Sequence, residues 1–402
     1  MTTSKLNRAR VADLHAAMTG YAERGDIPGI VTLIGRGDEI HVDATGMKTA
    51  GGKEPMRRDT IFRIASITKP ISAAATMILV DEGKLRLDDS VERWLPELAN
   101  RKVLKRIDSH LDDTVPAKRS ITVRDLLTST FGFGSVIAMP GTYPIQQPIH
   151  DWHLGGDGPP HPSLTPGTDE WMRKLGELPL MYQPGERWAY NTSCDLLGVL
   201  VARISGKSFE AFLRERVFDP LGMKDTAFSV PESKVDRLAG FYKFNHDSKK
   251  LEPFDNEQDS EYSHPPAFES GAGGLVSTAD DYYAFCRMML NKGVWGREQL
   301  LTQASIELMT SDQLTPQQRE GAEIFFANHS SWGFGMGVNI HRDKPWMIPG
   351  RFGWDGGFGT SAYSDPKNDF IGILLTQRLM DSPEPPAVFQ DFWTHAYRSL
   401  ED

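Results

Sequence analysis

The feature that most limits the possible folds is where strand-like sequence occurs: at both ends of the chain, with helical or irregular sequence between. Near the start, "GDIPG" leads into "IVTLIGRGDEIHVDATG", two apolar runs around a turn, which is the pattern of a β-hairpin. Near the end, "SWGFGMGVNIH", "GTSAYSD" and "DFIGILLTQ" read as strands, and a terminal helix is expected from about residue 384. Strands so distant in sequence bury their edges by joining one sheet. The expected fold is therefore α/β in the α+β sense, an antiparallel sheet drawn from both termini and flanked by helices, with a mostly helical unit inserted. All 402 residues are expected to form one catalytic-size unit, with an α/β part at about 1–85 and 270–402 and the insertion at about 86–269.

Amphipathic spacing predicts a helix over about 6–24 and another over about 66–83, the second ended by Gly83. "LRLDDSVERWLPEL" and "ITVRDLLTST" read as short helices, and "CDLLGVLVARISG" and "SFEAFLRERVFDPLG" as longer ones. Between them, residues 131–186 are dense in Gly, Pro and aromatics. So long an irregular stretch with sticky side chains reads as a lid or substrate-binding loop, with Phe133 a candidate contact.

The chemistry begins at "FRIASITKPISAAATMIL", where Ser66 stands three places before Lys69 at the head of an apolar helix. With about 3.6 residues per turn the two side chains share a face, and the amine can touch the hydroxyl. That activates a weak nucleophile without a histidine, although a capping serine followed by a solvated lysine carries the same letters. In "PGERWAYNTSCDLLG", Tyr190 falls on a short loop before a helix. It is either a packing residue or, beside an ammonium that favours the ionised phenol, a general base. In "FGWDGGFGTSAYSDP" the close glycines let backbone N–H groups approach a ligand, as an oxyanion hole requires.

Together with "SGAGGLVSTADDYYAF", these motifs follow the order and approximate spacing of the serine β-lactamase and penicillin-binding-protein superfamily. From about residue 10 to 398 the chain most resembles its class C β-lactamase-like esterases, the family VIII carboxylesterases. The resemblance implies a β-lactamase/transpeptidase-like fold and a cofactor-free, metal-free serine hydrolase that cleaves short-chain carboxylic esters through an acyl-enzyme. It implies Ser66 as nucleophile, Lys69 as its activating partner, Tyr190 as the base that relays the proton, and the backbone N–H groups of Ser66 and Gly357 as the oxyanion hole.

Two departures bear on the substrate. Where β-lactamases of this type carry Tyr-x-Asn, Thr192 replaces the amide; where they carry Lys-Thr-Gly, this chain has Trp354-Asp355-Gly356, close to the Trp-Gly-Gly of the esterases. These four positions and Phe133 are the expected substrate contacts. Without the lysine no cation grips a substrate carboxylate, and Asp355 would repel one if it faced the site. Hydrolysis of β-lactams, D-peptides or other amides, acyl transfer to a small acceptor, and a silent binding or sensing role are the alternatives.

Other functions fare worse. The 54 acidic against 44 basic residues leave a net charge of −10, which disfavours nucleic acid and anionic membrane as partners. The opening sequence has scattered charges where a signal peptide needs an apolar core, and no stretch has the length of a membrane span, so a cytoplasmic protein is expected, with a homo-oligomer allowed. Cys194 and Cys286 lie in apolar helical patterns and read as buried thiols. "HDWH" with His161 nearby lacks the spacing of a zinc motif, "GFGTSA" lies between strands rather than before a dinucleotide-binding helix, and Arg36-Gly37-Asp38 is a hairpin turn.

Overall fold

The computed structural model describes residues 5–156, 158–255 and 259–401. Two early strands, β1 (Gly29–Arg36) and β2 (Glu39–Gly46), join five late ones, β3 (Ser330–Trp332), β4 (Gly337–Asn339), β5 (Phe352–Gly356), β6 (Thr360–Asp365) and β7 (Phe370–Thr376). They form one seven-stranded sheet in the order β3-β4-β5-β6-β7-β1-β2, antiparallel throughout. The ends of the chain meet where β1 lies against β7, with Ile30 opposite Thr376 and Arg36 opposite Phe370. Arg36 of the Arg-Gly-Asp triplet is a clasp there: its Nη1 donates to the carbonyls of Leu400 and Lys5.

Six helices frame the account: α1 (Arg8–Glu23), α2 (Lys69–Asp81), α3 (Thr168–Glu177), α4 (Thr192–Ser205), α5 (Ala279–Leu290) and α6 (Ala387–Arg398). Side chains alternate across a strand, so Ile30 and Ile34 of β1 join Leu14 of α1 and Phe392 of α6, while Val31 and Leu33 join Ile71 of α2 and Tyr283 of α5. Covering both faces is what makes "FIGILLT" of β7 apolar at nearly every position, and all seven of its residues are buried. Each such side chain contributes about 1.5–3 kcal/mol on burial. Among the described residues, no strand from the segment between β2 and β3 enters this sheet, and no helix is long and apolar enough to cross a membrane. Both cysteines are buried free thiols.

Local departures from expectation have identifiable causes. The helix expected from 66 begins at Lys69, and Ala65–Thr68 form a tighter 3-10 turn. Pro70 has no N–H to donate to the Ser66 carbonyl, so the α-helical ladder cannot extend back through Ser66. Gly83, at φ 69°, lies just past the end of α2 as expected. The stretch 131–186 is less irregular than its composition implies: it holds a short helix, Gln146–Asp151, and α3, which buries Trp171, Met172 and Leu175. "SWGFGMGVNIH" forms two strands, β3 and β4, rather than one. The glycine-rich "FGWDG" is itself a strand, β5; Gly353 has φ 150°, and a Cβ there would lie 2.1 Å from the Ala362 carbonyl oxygen.

Candidate active site

The turn that carries Ser66 starts from Ala65 at φ 45°, a left-handed conformation that costs a non-glycine residue on the order of 1 kcal/mol. It lifts Ser66 into a cavity of about 1070 Å³, while Lys69, one turn on, is completely buried beneath it. Lys69 Nζ donates to Ser66 Oγ at 2.8 Å and to the Ala272 carbonyl at 2.6 Å. It also lies 4.4 Å from the centre of the Tyr190 ring. The serine and lysine expected to share a face therefore do, and the ammonium is held by a hydroxyl, a peptide oxygen and an aromatic face.

Tyr190 is fixed by the loop that precedes α4. Its carbonyl accepts from the Ser135 N–H at 2.8 Å, and Asn191 at φ 81° turns the chain into the helix. Its ring is packed by Trp188, Phe325 and Trp354, with centroids 5.6, 4.8 and 5.9 Å away. Its hydroxyl accepts a 2.9 Å hydrogen bond from Trp354 Nε1. Trp354, expected to touch substrate, thus also orients the phenol: a neutral indole N–H donates where a lysine would bring a charge. Gly356 ends the same strand against the turn of Ser66; a Cβ there would lie 2.2 Å from Thr360 Oγ1, 2.7 Å from the Ile64 carbonyl oxygen and 3.4 Å from Ser66 N. Gly357, the other expected oxyanion donor, lines the cavity with Ser66.

Strand alternation sends Asp355 to the opposite side from Trp354, against Ser361, which donates to it, and Tyr363, whose hydroxyl donates at 3.4 Å. It still reaches the cavity wall. Burial pushes Asp355 up to about 6, opposed by the Ser361 hydrogen bond and the Arg351 charge. A carboxyl whose folded pKa is raised binds its proton more tightly folded than unfolded, so ionising it costs stability. The penalty is complete above about pH 6 and is relieved as the pH falls toward 4. Asp355→Asn, which keeps an acceptor for Ser361, is expected to be about 1–2 kcal/mol more stable than wild type at pH 8, with the gap closing by about pH 4.5 in urea unfolding.

The structure moves two expected substrate contacts away from the cavity. Phe133 is 1% exposed and packs in the core beside Phe131, and Thr192, also 1% exposed, is the first residue of α4 with its side chain buried. Neither lines the cavity; Asn191, its neighbour, does. Gly356 acts through close backbone approach and is not part of the lining, whereas Trp354 and Asp355 are. Of the histidines, His150, His153, His161 and His329 line the cavity, and His161 also pairs with Glu261 at 3.1 Å.

Several lining residues escaped the sequence reading. Asp195 of α4 is one; its signal was a lone carboxylate inside the apolar run "CDLLGVLV". Arg351 also lines the cavity; it is 3% exposed, its guanidinium 3.8 Å from the Tyr363 ring and 4.1 Å from the Trp393 ring, with Nη1 donating to Asn339 Oδ1 at 3.3 Å. The mouth is apolar and includes Ile137, Met139, Leu164 and Ile324, all exposed.

A serine held by a buried lysine beside an oriented tyrosine, against the end of β5 in an antiparallel sheet, defines a β-lactamase-type site. The Beta-lactamase family model matches residues 14–389, and the chain belongs to that family. Protein Rv1367c of Mycobacterium tuberculosis is 36% identical over 374 residues, covering 91% of this chain and 90% of its own. Esterase EstB of Burkholderia gladioli is 29% identical over 391 residues, covering 89% and 88%. Among solved structures, EstCE1, described as a hydrolase with promiscuous acyltransferase activity, superposes with a TM-score of 0.80 at 23% identity over 97% of this chain and 99% of its own. The fold is the β-lactamase/transpeptidase-like one.

Proposed function

We propose that the protein is a serine hydrolase that cleaves short-chain carboxylic esters through an acyl-enzyme on Ser66. The observation that carries this reading is the 2.8 Å hydrogen bond between Lys69 Nζ and the cavity-facing Ser66 Oγ, with Trp354 in place of a carboxylate-gripping lysine. Likeness to an esterase across most of both chains supports it.

In this mechanism Ser66 Oγ attacks the ester carbonyl carbon as its proton passes to Tyr190, which enters the step as the phenolate beside the Lys69 ammonium. The carbonyl oxygen becomes an oxyanion held by the N–H groups of Ser66 and Gly357. Collapse breaks the bond to the alcohol oxygen, which takes back a proton from Tyr190. Water then attacks the acyl carbon, delivers its proton along the same path and releases the acid and free Ser66.

Short-chain nitrophenyl esters are expected to be hydrolysed with kcat/KM at least about 10²-fold above a chromogenic cephalosporin, measured on one preparation. A charge-assisted bond to the lactam's carboxylate is worth about 1.5–3 kcal/mol, and Trp354 cannot make it. Arg351 is 3% exposed with its guanidinium against the Tyr363 and Trp393 rings, and the Asp355 carboxyl at the wall disfavours an anion there when it is ionised. Equal efficiency on the cephalosporin would replace the esterase reading with a β-lactamase one, and failure to turn over any ester would end the former outright. Acyl transfer is the second reading, favoured by a cavity large enough to hold an acceptor beside the acyl group. Product analysis with an added alcohol separates it from hydrolysis.

A further inference from the structure

The motif "SGAGG", residues 270–274, has no part in the mechanism above, yet it supplies the carbonyl that holds Lys69. The segment is fastened at several points. Ser72 Oγ, on α2, donates to the Gly271 carbonyl at 2.7 Å. The Leu275 N–H donates to Thr68 Oγ1 at 3.3 Å, and the Leu275 carbonyl accepts from the Ile64 N–H at 3.0 Å. Gly271 is packed so closely on α4 that a Cβ would lie 2.3 Å from the Cys194 carbonyl oxygen. In the middle, Asp195 Oδ1 accepts from Ser270 Oγ at 2.6 Å and from the Ala272 N–H at 3.1 Å.

Both backbone polar groups of Ala272 are therefore gripped: its N–H by a carboxylate on α4, its C=O by the ammonium on α2. We propose that Asp195 is a positioning residue, holding the Ser270–Ala272 segment so that the Ala272 carbonyl fixes the Lys69 ammonium under Ser66 Oγ. This rests on Ser66 being the nucleophile.

The energetics favour this role over simple packing. Asp195 is 4% exposed, and its neighbours Cys194, Leu196 and Leu197 on α4 are buried apolar residues. A leucine or alanine would satisfy packing there, whereas a carboxylate carries a desolvation cost, visible in the way burial pushes Asp195 up to about 6 against its two hydrogen bonds and the Lys69 charge. What the carboxylate supplies in return is two hydrogen bonds that fix the Ser270 hydroxyl and the Ala272 N–H within a segment anchored on either side. A displacement of about 1 Å at a reacting group costs about 10²-fold in rate.

The test compares Asp195→Ala, which removes the acceptor, with Asp195→Asn, which keeps Oδ1 and replaces the charged Oδ2 by an amide NH2. The readouts are kcat and KM on a nitrophenyl ester, the rate of Ser66 labelling by a phosphonate, and a thermal melt. Asp195→Ala is expected to lower kcat and the labelling rate together by about 10- to 100-fold with KM within about threefold, while Asp195→Asn keeps at least about a third of wild-type kcat. Should Asp195→Ala not fold, Ser270→Ala, which deletes one of the two bonds, is expected to cost about 3- to 10-fold in both rates. A folded Asp195→Ala or Ser270→Ala at wild-type rates would overturn the proposal, as would an Asn variant as damaged as the Ala variant. Wild-type protein that neither labels nor turns over would instead remove the nucleophile, and this proposal with it.

Discussion

Ser66→Ala is expected to lower ester hydrolysis by at least about 10⁴-fold and to abolish phosphonate labelling, because a covalent route cannot proceed without its nucleophile. The fold should survive. Ser66 Oγ accepts from Lys69 Nζ, so its loss leaves one buried N–H unpartnered, but the Ala272 carbonyl and the Tyr190 ring remain. A melting temperature within a few degrees of wild type is expected, since one hydrogen bond is worth about 1 kcal/mol net. The left-handed residue is Ala65, not Ser66, so the substitution adds no backbone strain. Retention of a tenth or more of the wild-type rate by the folded variant would rule out the acyl-enzyme.

The second large effect concerns the proton path. Lys69→Ala and Tyr190→Phe are each expected to lower kcat by about 10² to 10⁴-fold, the range for loss of a positioned proton carrier. The ammonium lies under the tyrosine ring and on the serine oxygen, so the two groups act on one proton. The double variant should then be little worse than the weaker single variant, and full multiplication of the two losses would mean that Tyr190 works independently of Lys69. Tyr190→Phe also frees Trp354 Nε1 of its acceptor, so part of its effect on KM belongs to the indole.

Much of the architecture was legible because it rests on period and position. Two apolar runs around a turn announced β1 and β2, and the serine–lysine spacing announced a shared face, because both patterns are local. β5 was hidden because glycine has no side chain to show alternation, and Gly353 is there for the neighbouring backbone. α3 was hidden because three buried residues, Trp171, Met172 and Leu175, sit between Pro- and Gly-rich flanks. Phe133 and Thr192 were misassigned for a different reason. Whether an aromatic in a loop faces a ligand or the core is decided by what packs on it, and those partners lie far away in sequence. Asp195 shows the converse: a charge within an apolar run is a visible local inconsistency, and such inconsistencies gather at functional sites.

The junction of β1 with β7 has a consequence for the order of events in the cell. Emerging from the ribosome, residues 29–46 can form their hairpin at once, yet β1 has no second neighbour until residues 370–376 are made. The same delay separates the Ser66 turn from Gly356, which closes on it. Contacts this distant carry a large loop-closure cost, so assembly should be slow and should leave a long strand edge uncovered in the nascent chain. Any chaperone that attends this protein would thus be needed most before β7 appears, and no growing chain could assemble the pocket around Ser66 before residues 356–376 have been made.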